Sequence, residues 1–512
     1  MICLRTAFNN RLQRLAATKT QCLLVPRRWK KTKSKKKKYT KPGTQNRSDP
    51  TVLALRYFDE TYRAHFGGLW PIIRLGLLSP HKHGALLNNY SARADSIEVQ
   101  RLRQFGAVDI VEEAAKEIGP SDVHSTESHS VKDNDLIQEN DAPLKGIQEM
   151  RRVASMQANY QGFDQLDSLS TSTSRDDKET EPKETPPHLV ESEEGQSEEE
   201  KKWWEDQYII APGYEAKMES LIQGGEFDNR QSRTLVQPAS NISIINAPIK
   251  MNPNLRCYVH QDEGNIKRFP RVKSDSTSGL LTYYAMDAAS VLPVLALDLR
   301  MDETVLDLCA APGGKSVAML QTMYLGGLES NEPNKSRRQR LRSVFNSYVP
   351  ASMMDSGVVN VSGEDGQELG DLQPNSYDKV LVDVPCTTDR QSALVPTNNI
   401  FNLYRVKERQ NLPKLQRNLL CSALQAVKPG GDVVYSTCTL SRLQNDDVVE
   451  NAISTCRSQY KIQANVVDLS PLTSALDKVF NFWKECTYGQ LVLPGLKRNF
   501  GPMYFCKLRR IK

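Results

Sequence analysis

Two cysteines stand where thiols could do chemistry on an electron-poor ring: one closes Asp383-Val384-Pro385-Cys386, the other Tyr435-Ser436-Thr437-Cys438. Each follows an apolar run of strand type, 378–384 and 431–436. In a parallel sheet both runs present their carboxyl ends at one rim, where open α/β sheets bind ligands. A single cysteine there is most often a small buried apolar residue, but two at neighbouring strand ends make a pair. The reaction that needs such a pair is methylation of a pyrimidine at C5. That carbon is a poor nucleophile until a thiolate adds at C6 and makes C5 enamine-like; a second thiol can then help undo the adduct. Asp383, beside the first cysteine, is placed to hydrogen-bond the N3/N4 edge of the ring and stabilise the charge that develops on attack. The base must leave its helix or stack to enter such a pocket.

Methylation also needs a donor, and one turn upstream is built for a nucleotide. After the strand 304–308, Cys309-Ala310-Ala311-Pro312-Gly313-Gly314-Lys315 opens a helix. Small residues let a ligand approach the backbone, and the helix N-terminus offers free N–H groups and positive dipole. Gly313 and Gly314 are therefore expected to contact S-adenosylmethionine, with Lys315 near its carboxylate. A phosphate-binding P-loop is excluded because its first glycine position holds Cys309, and the Gly-x-Gly-x-x-Gly dinucleotide pattern is absent here. Glu332, ending the next strand about 20 residues on, suits the ribose hydroxyls. Asp365-Gly366, after the third strand, suits the adenine amine, and Arg337 is close enough to fix Glu332 or the donor. Singly each acid reads as a cap or a solvated loop residue; in order after successive strands they read as a donor site. No ligand set for a metal emerges, since the ten cysteines lack Cys-x-x-Cys spacing and histidine is scarce.

The elements that must position these residues follow from periodicity. Strands are expected at 304–308, 328–332, 357–361, 378–384 and 431–436, with helices near 315–325, 335–347, 408–427 and 442–456. Alternation with continuous apolar strands predicts a parallel sheet covered on both faces. At the end, 490–494 and 503–508 flank a turn and predict an antiparallel hairpin. The expected fold is α/β: a seven-stranded Rossmann-like sheet closed by a C-terminal antiparallel hairpin, the plan of S-adenosylmethionine-dependent methyltransferases. Upstream, 235–275 reads as β-rich and leads to a helix containing Tyr283–Ser290.

Composition divides the rest. Residues 1–48 carry no Asp or Glu and space arginines among leucines, the signature of a mitochondrial presequence. The lysine run at 30–38 equally reads as a nuclear signal or an RNA-binding tail. Residues 49–111 form a helical N-terminal region: Ala54, Leu55, Phe58, Tyr62 and Phe66 fall at helical spacing, a stripe read as packing. Residues 112–203 are acidic and poor in large apolar side chains, with six glutamates between Glu191 and Glu200, and are expected to be disordered. Residues 204–512 form the methyltransferase domain. No run approaches the roughly 20 apolar residues of a membrane helix, so no membrane role is expected.

Over almost all of 205–512 the chain resembles the Sun/Fmu family of RNA cytosine-5 methyltransferases. The carriers are Leu308–Lys315, Asp383–Cys386 and Tyr435–Cys438. Pro385–Arg390, Tyr283–Ser290 and Asn499–Cys506 look more particularly like its mitochondrial small-subunit rRNA branch. The resemblance implies that Cys438 is the nucleophile and Cys386 assists product release; DNA cytosine methyltransferases attack with the Pro-Cys thiol instead. It also implies donor contacts at Gly313, Gly314, Lys315, Glu332, Arg337, Asp365, Gly366 and Asp383, with Glu332 standing where the family usually has Asp. Further implications are the mitochondrial matrix, small-subunit rRNA as substrate, support of mitoribosome assembly, and a helical-repeat partner of the mitochondrial transcription-termination-factor family. Basic clusters at 335–342, 405–417 and 497–512 would meet phosphate. Two alternatives stay open: a non-enzymatic rRNA-binding assembly factor that keeps the fold, and a cytosine-5 methyltransferase of another RNA.

Overall fold

A computed structural model describes residues 49–92, 97–118, 242–260 and 269–512. The basic arm 1–48, most of the acidic insertion and residues 204–241 lie outside the described residues.

Helix α1 (Pro50–Phe66) begins where Asp49 caps it, accepting from the Thr51 N–H at 2.9 Å, with proline at the first helical position. Its spacing aligns Ala54, Phe58, Tyr62 and Phe66 on one buried face, each ring contributing roughly 1.5–3 kcal/mol by burial. Helix α2 (Trp70–Leu78) follows, then strands β1 (Gly84–Leu87) and β2 (Ala107–Asp109) and helix α3 (Ile110–Ile118). Three further strands precede the donor turn: β3 (Ile244–Ile245), β4 (Cys257–His260) and β5 (Tyr283–Met286). Strands β2, β4, β1 and β5 form a small antiparallel sheet in that order. The N-terminal region is therefore interleaved with later chain rather than separate from it, and α1 shares a core with the main sheet.

Two local expectations change. Tyr283–Met286 is a strand, not part of a helix, because Tyr284 pairs with Leu86 of β1; the helical turns start only after Asp287, which caps Ala288–Val291. The acidic segment is not irregular from residue 112. Helix α3 carries order to Ile118, since Ile110, Val111 and Ala114 are buried on one face.

The main sheet is laid out by β6 (Thr304–Asp307), β7 (Gly327–Asn331), β8 (Val359–Ser362), β9 (Tyr377–Asp383) and β10 (Val427–Thr437). They run parallel in the order β8-β7-β6-β9-β10, so the order reverses between β6 and β9, the switch point where such sheets bind ligands. Beyond them lie β11 (Ala464–Val467), β12 (Phe482–Trp483), β13 (Gln490–Val492) and β14 (Met503–Arg510). Among the described residues this sheet has ten strands rather than the expected seven, the tenth being β3, which pairs parallel with β11. The reason is the length of β14: besides lying antiparallel to β10, it pairs with β13 through Met503–Phe505 and with β11 through Lys507–Arg510. Helices α4 (Gly314–Gln321), α5 (Lys335–Tyr348), α6 (Val406–Ala426) and α7 (Asp446–Thr455) complete the frame used below. Among the described residues no helix is long and apolar enough to cross a membrane.

Candidate active site

The donor turn leaves β6 at Asp307 and enters α4 through Gly313, whose φ of 114° and ψ of 0° suit glycine. A Cβ there would also lie 2.8 Å from Leu341 Cδ1 of α5. At Gly314 a Cβ would lie 3.1 Å from the Tyr284 ring, so β5 roofs the start of α4. Ser316 donates to Asp307 at 2.6 Å, while the other Asp307 oxygen is buried without a hydrogen-bond partner. Burial pushes this carboxyl up to about 7.

Arg337 braces the turn from α5. Its guanidinium donates to the Ala311 carbonyl at 2.9 Å and pairs with Glu332 at 3.0 Å. Glu332 is buried at the end of β7 and also accepts from the Asn334 N–H. Asp365, past the end of β8, is exposed and accepts from the Gln367 N–H at 3.0 Å. Gly366 beside it is buried against α6, where a Cβ would meet Leu419 at 2.9 Å.

The thiols stand across the switch point. Ser436 on β10 lies in register with Asp383 on β9, and its hydroxyl donates to that carboxylate at 2.7 Å. The second Asp383 oxygen takes Lys315 Nζ at 2.7 Å, tying the donor turn to the Pro-Cys strand. Burial alone would lower the Lys315 pKa, but the facing carboxylate outweighs it and the pKa is raised. Cys386 Sγ and Cys438 Sγ are 3.3 Å apart. The hydrogen bond with Cys386, then burial, push the Cys438 thiol well above its ordinary pKa, while Lys315 pulls it down. At rest Cys438 therefore keeps its proton.

The loops carrying the sulfurs are held by buried polar groups that sequence reasoning passed over. Gln416 of α6 donates to the Pro385 carbonyl at 2.8 Å and to Gln444 at 3.0 Å; Gln444 in turn meets the Thr387 N–H and hydroxyl. Asn445 bonds Thr437 and the Thr439 carbonyl on either side of Cys438. The available signal was Thr387 and Asp389 inside Pro385–Arg390, which carried a resemblance without a role. Among the described residues no cluster of three or more His, Cys, Asp or Glu could hold a metal.

These groups fit S-adenosylmethionine. The turn leaves no space for a side chain at Gly313, it opens onto a helix N-terminus, and acids follow successive strands at the same rim. A glycine turn opposite two thiols at the switch point of a largely parallel sheet is an arrangement suited to a methyltransferase. The family model for 16S rRNA methyltransferase RsmB/F matches residues 294–508. The chain is 38% identical over 460 residues to the 5-cytosine rRNA methyltransferase NSUN4 of Xenopus tropicalis, covering 90% of each chain. It is 37% identical to the NSUN4 of Mus musculus, covering 95% of this chain and 94% of that one. Over 257 residues, half of this chain and 67% of the relative, it is 43% identical to the mitochondrial tRNA (cytosine(34)-C(5))-methyltransferase of Danio rerio. The chain belongs to this family of S-adenosylmethionine-dependent RNA cytosine-5 methyltransferases.

Proposed function

We propose that the protein methylates C5 of a cytosine in mitochondrial small-subunit rRNA, with Cys438 as the nucleophile and Cys386 as the thiol that assists release. The observation that carries this reading is the pair of sulfurs 3.3 Å apart beside the Asp383–Lys315 ion pair.

Cys438 passes its proton to solvent water and its thiolate forms a bond to C6, sending the ring electrons toward C5. Asp383, held by Ser436 and Lys315, would accept from the N4 amino group and fix the ring for attack. When bound, the donor supplies an electrophilic methyl group to C5. A base then takes the C5 proton, the electrons restore the ring double bond, and the S–C6 bond breaks with Cys438 leaving as thiolate. Cys386, in contact with that sulfur, is placed to assist this elimination. Gly313 and Gly314 would pass close to the donor, Lys315 would lie near its carboxylate, Glu332 braced by Arg337 would take the ribose, and Asp365 with Gly366 the adenine.

The acid-free arm of residues 1–48 supports import into the mitochondrial matrix, in line with the mitochondrial designation of the Danio rerio relative. Lys335, Arg340 and Arg342, exposed on α5, supply cationic surface beside the donor turn for RNA phosphates. The likeness to the small-subunit rRNA branch supports a role in mitoribosome assembly beside a helical-repeat partner of the mitochondrial transcription-termination-factor family. Bisulfite sequencing of mitochondrial and cytosolic RNA with and without the protein tests the substrate. Loss of one 5-methylcytosine from mitochondrial small-subunit rRNA is expected; unchanged rRNA alongside a lost tRNA site would contradict the reading.

A further inference from the structure

We propose that Tyr62, on the N-terminal helix α1, is a positioning residue for the two thiols, acting through the buried carboxylate of Asp389 and the threonine after each cysteine. The proposal deepens the two-thiol reading and rests on it. Asp389 is fully buried and forms the hub between both cysteine loops. Its Oδ1 accepts from the Thr387 hydroxyl at 2.6 Å and the Thr439 hydroxyl at 3.0 Å. Its Oδ2 accepts from the Leu440 N–H and the Tyr62 hydroxyl, each at 2.8 Å. Thr387 directly follows Cys386, and Thr439 and Leu440 directly follow Cys438. Asp389 also donates its own N–H to the Cys438 carbonyl at 3.3 Å. One carboxylate thus spans the gap that the sulfurs must keep.

Tyr62 enters this hub from a helix 327 residues away in sequence. Burial and the facing carboxylate hold its pKa well above the ordinary tyrosine value, so the hydroxyl remains a donor at every working pH. A buried carboxylate that loses one of its donors must shift or take a proton. Either change moves Thr387 and Thr439, and with them the sulfurs. Reacting groups misplaced by about 1 Å can lose about a hundredfold in rate, so a hydroxyl that never touches substrate can still set turnover. The helix is otherwise a packing element, with Phe58 stacked on Tyr62 and Phe66 edge-on to Trp483.

The test compares Tyr62→Phe and Asp389→Asn with Phe66→Leu, which loosens the same helix without reaching the carboxylate. Two readouts are taken on the full-length protein: single-turnover methylation of a small-subunit rRNA fragment, and the rate at which diamide joins Cys386 to Cys438, followed by peptide mass spectrometry. In the second, one thiolate adds to the azo bond and the other thiol displaces it. A disulfide forms, and two electrons and two protons pass to the hydrazine product. Tyr62→Phe and Asp389→Asn should each slow methylation and cross-linking, methylation by about tenfold or more, with the KM for RNA unchanged. Phe66→Leu should leave the cross-linking rate near wild type. Unchanged cross-linking in Tyr62→Phe, or equal slowing by Phe66→Leu, would overturn the positioning role. Slowed cross-linking with unimpaired methylation would keep that role and reject the two-thiol reaction instead.

Discussion

Replacing Gly313 and Gly314 by alanine, one at a time, separates conformation from space at the donor turn. At Gly313 both work against a side chain. A φ of 114° lies in the left-handed half of the backbone map, which costs an L-residue about 1–2 kcal/mol. The new Cβ would also sit 2.8 Å from Leu341 Cδ1, with Val344 at 3.3 Å, and overpacking of that kind costs about 1–3 kcal/mol. Together these give roughly 2–5 kcal/mol, unless the turn moves to relieve them. At Gly314 the backbone is ordinary, and the Cβ meets only the edge of Tyr284 at 3.1 Å. A ring shift of a few tenths of an ångström accommodates it, and alanine in a helix regains about 0.5–1 kcal/mol over glycine. Urea unfolding should therefore show Gly313→Ala destabilised by about 2 kcal/mol or more and Gly314→Ala within about 1 kcal/mol of wild type. If the Gly313 turn relaxes instead, stability is recovered but titration calorimetry with S-adenosylhomocysteine should show affinity reduced by about tenfold or more, 1.4 kcal/mol being tenfold. A Gly313→Ala protein that unfolds and binds like wild type would refute the reasoning.

Asp307 carries a pH prediction. Its folded pKa of about 7 lies above the unfolded value of about 3.9, so the folded state binds more protons between them. Stability through this group therefore falls as pH rises from about 4 to 7, by up to about 4 kcal/mol. Asp307→Asn removes that loss, so its stability relative to wild type should improve between pH 5 and pH 8; equal differences at both pH values would contradict it. At the opposite strand ends, Asp432 is buried among Lys379 at 2.6 Å, Arg509 at 2.8 Å and Lys507 at 3.2 Å. Burial works against its charge, but the three cations win and hold its pKa down at about 2. Its contribution is present above about pH 4 and lost as pH falls through about 2. Asp432→Asn leaves the cations uncompensated and should cost about 3–5 kcal/mol at pH 7 in urea unfolding, with donor affinity of the folded protein unchanged because the donor turn lies at the other strand ends.

The parallel strands, the glycine turn and both cysteines were legible because each is a local pattern: an apolar run, a cluster of small residues, a motif closing a strand. Long-range pairing was not. Tyr283–Met286 reads as helix and is a strand, because its partner β1 lies far upstream. β14 gives no local hint that it will pair on both sides. Tyr62 lies in a stripe that reads as packing, since helical spacing reports a buried face and says nothing of where a hydroxyl finds its acceptor. Lys315 and Glu332 were placed by their motifs, but their partners, Asp383 and Arg337, set their electrostatics. Asp389 carried no periodic signal at all; its meaning lies in the two loops it joins.

The division of labour between the sulfurs is tested most directly by incubating Cys386→Ala and Cys438→Ala proteins with S-adenosylmethionine and small-subunit rRNA, then running denaturing gels. Cys386→Ala should accumulate a covalent protein–RNA species, because the S–C6 bond forms and its release is impaired. Cys438→Ala should form no such species and methylate nothing. An adduct that appeared with Cys438→Ala and not with Cys386→Ala would reverse the assignment.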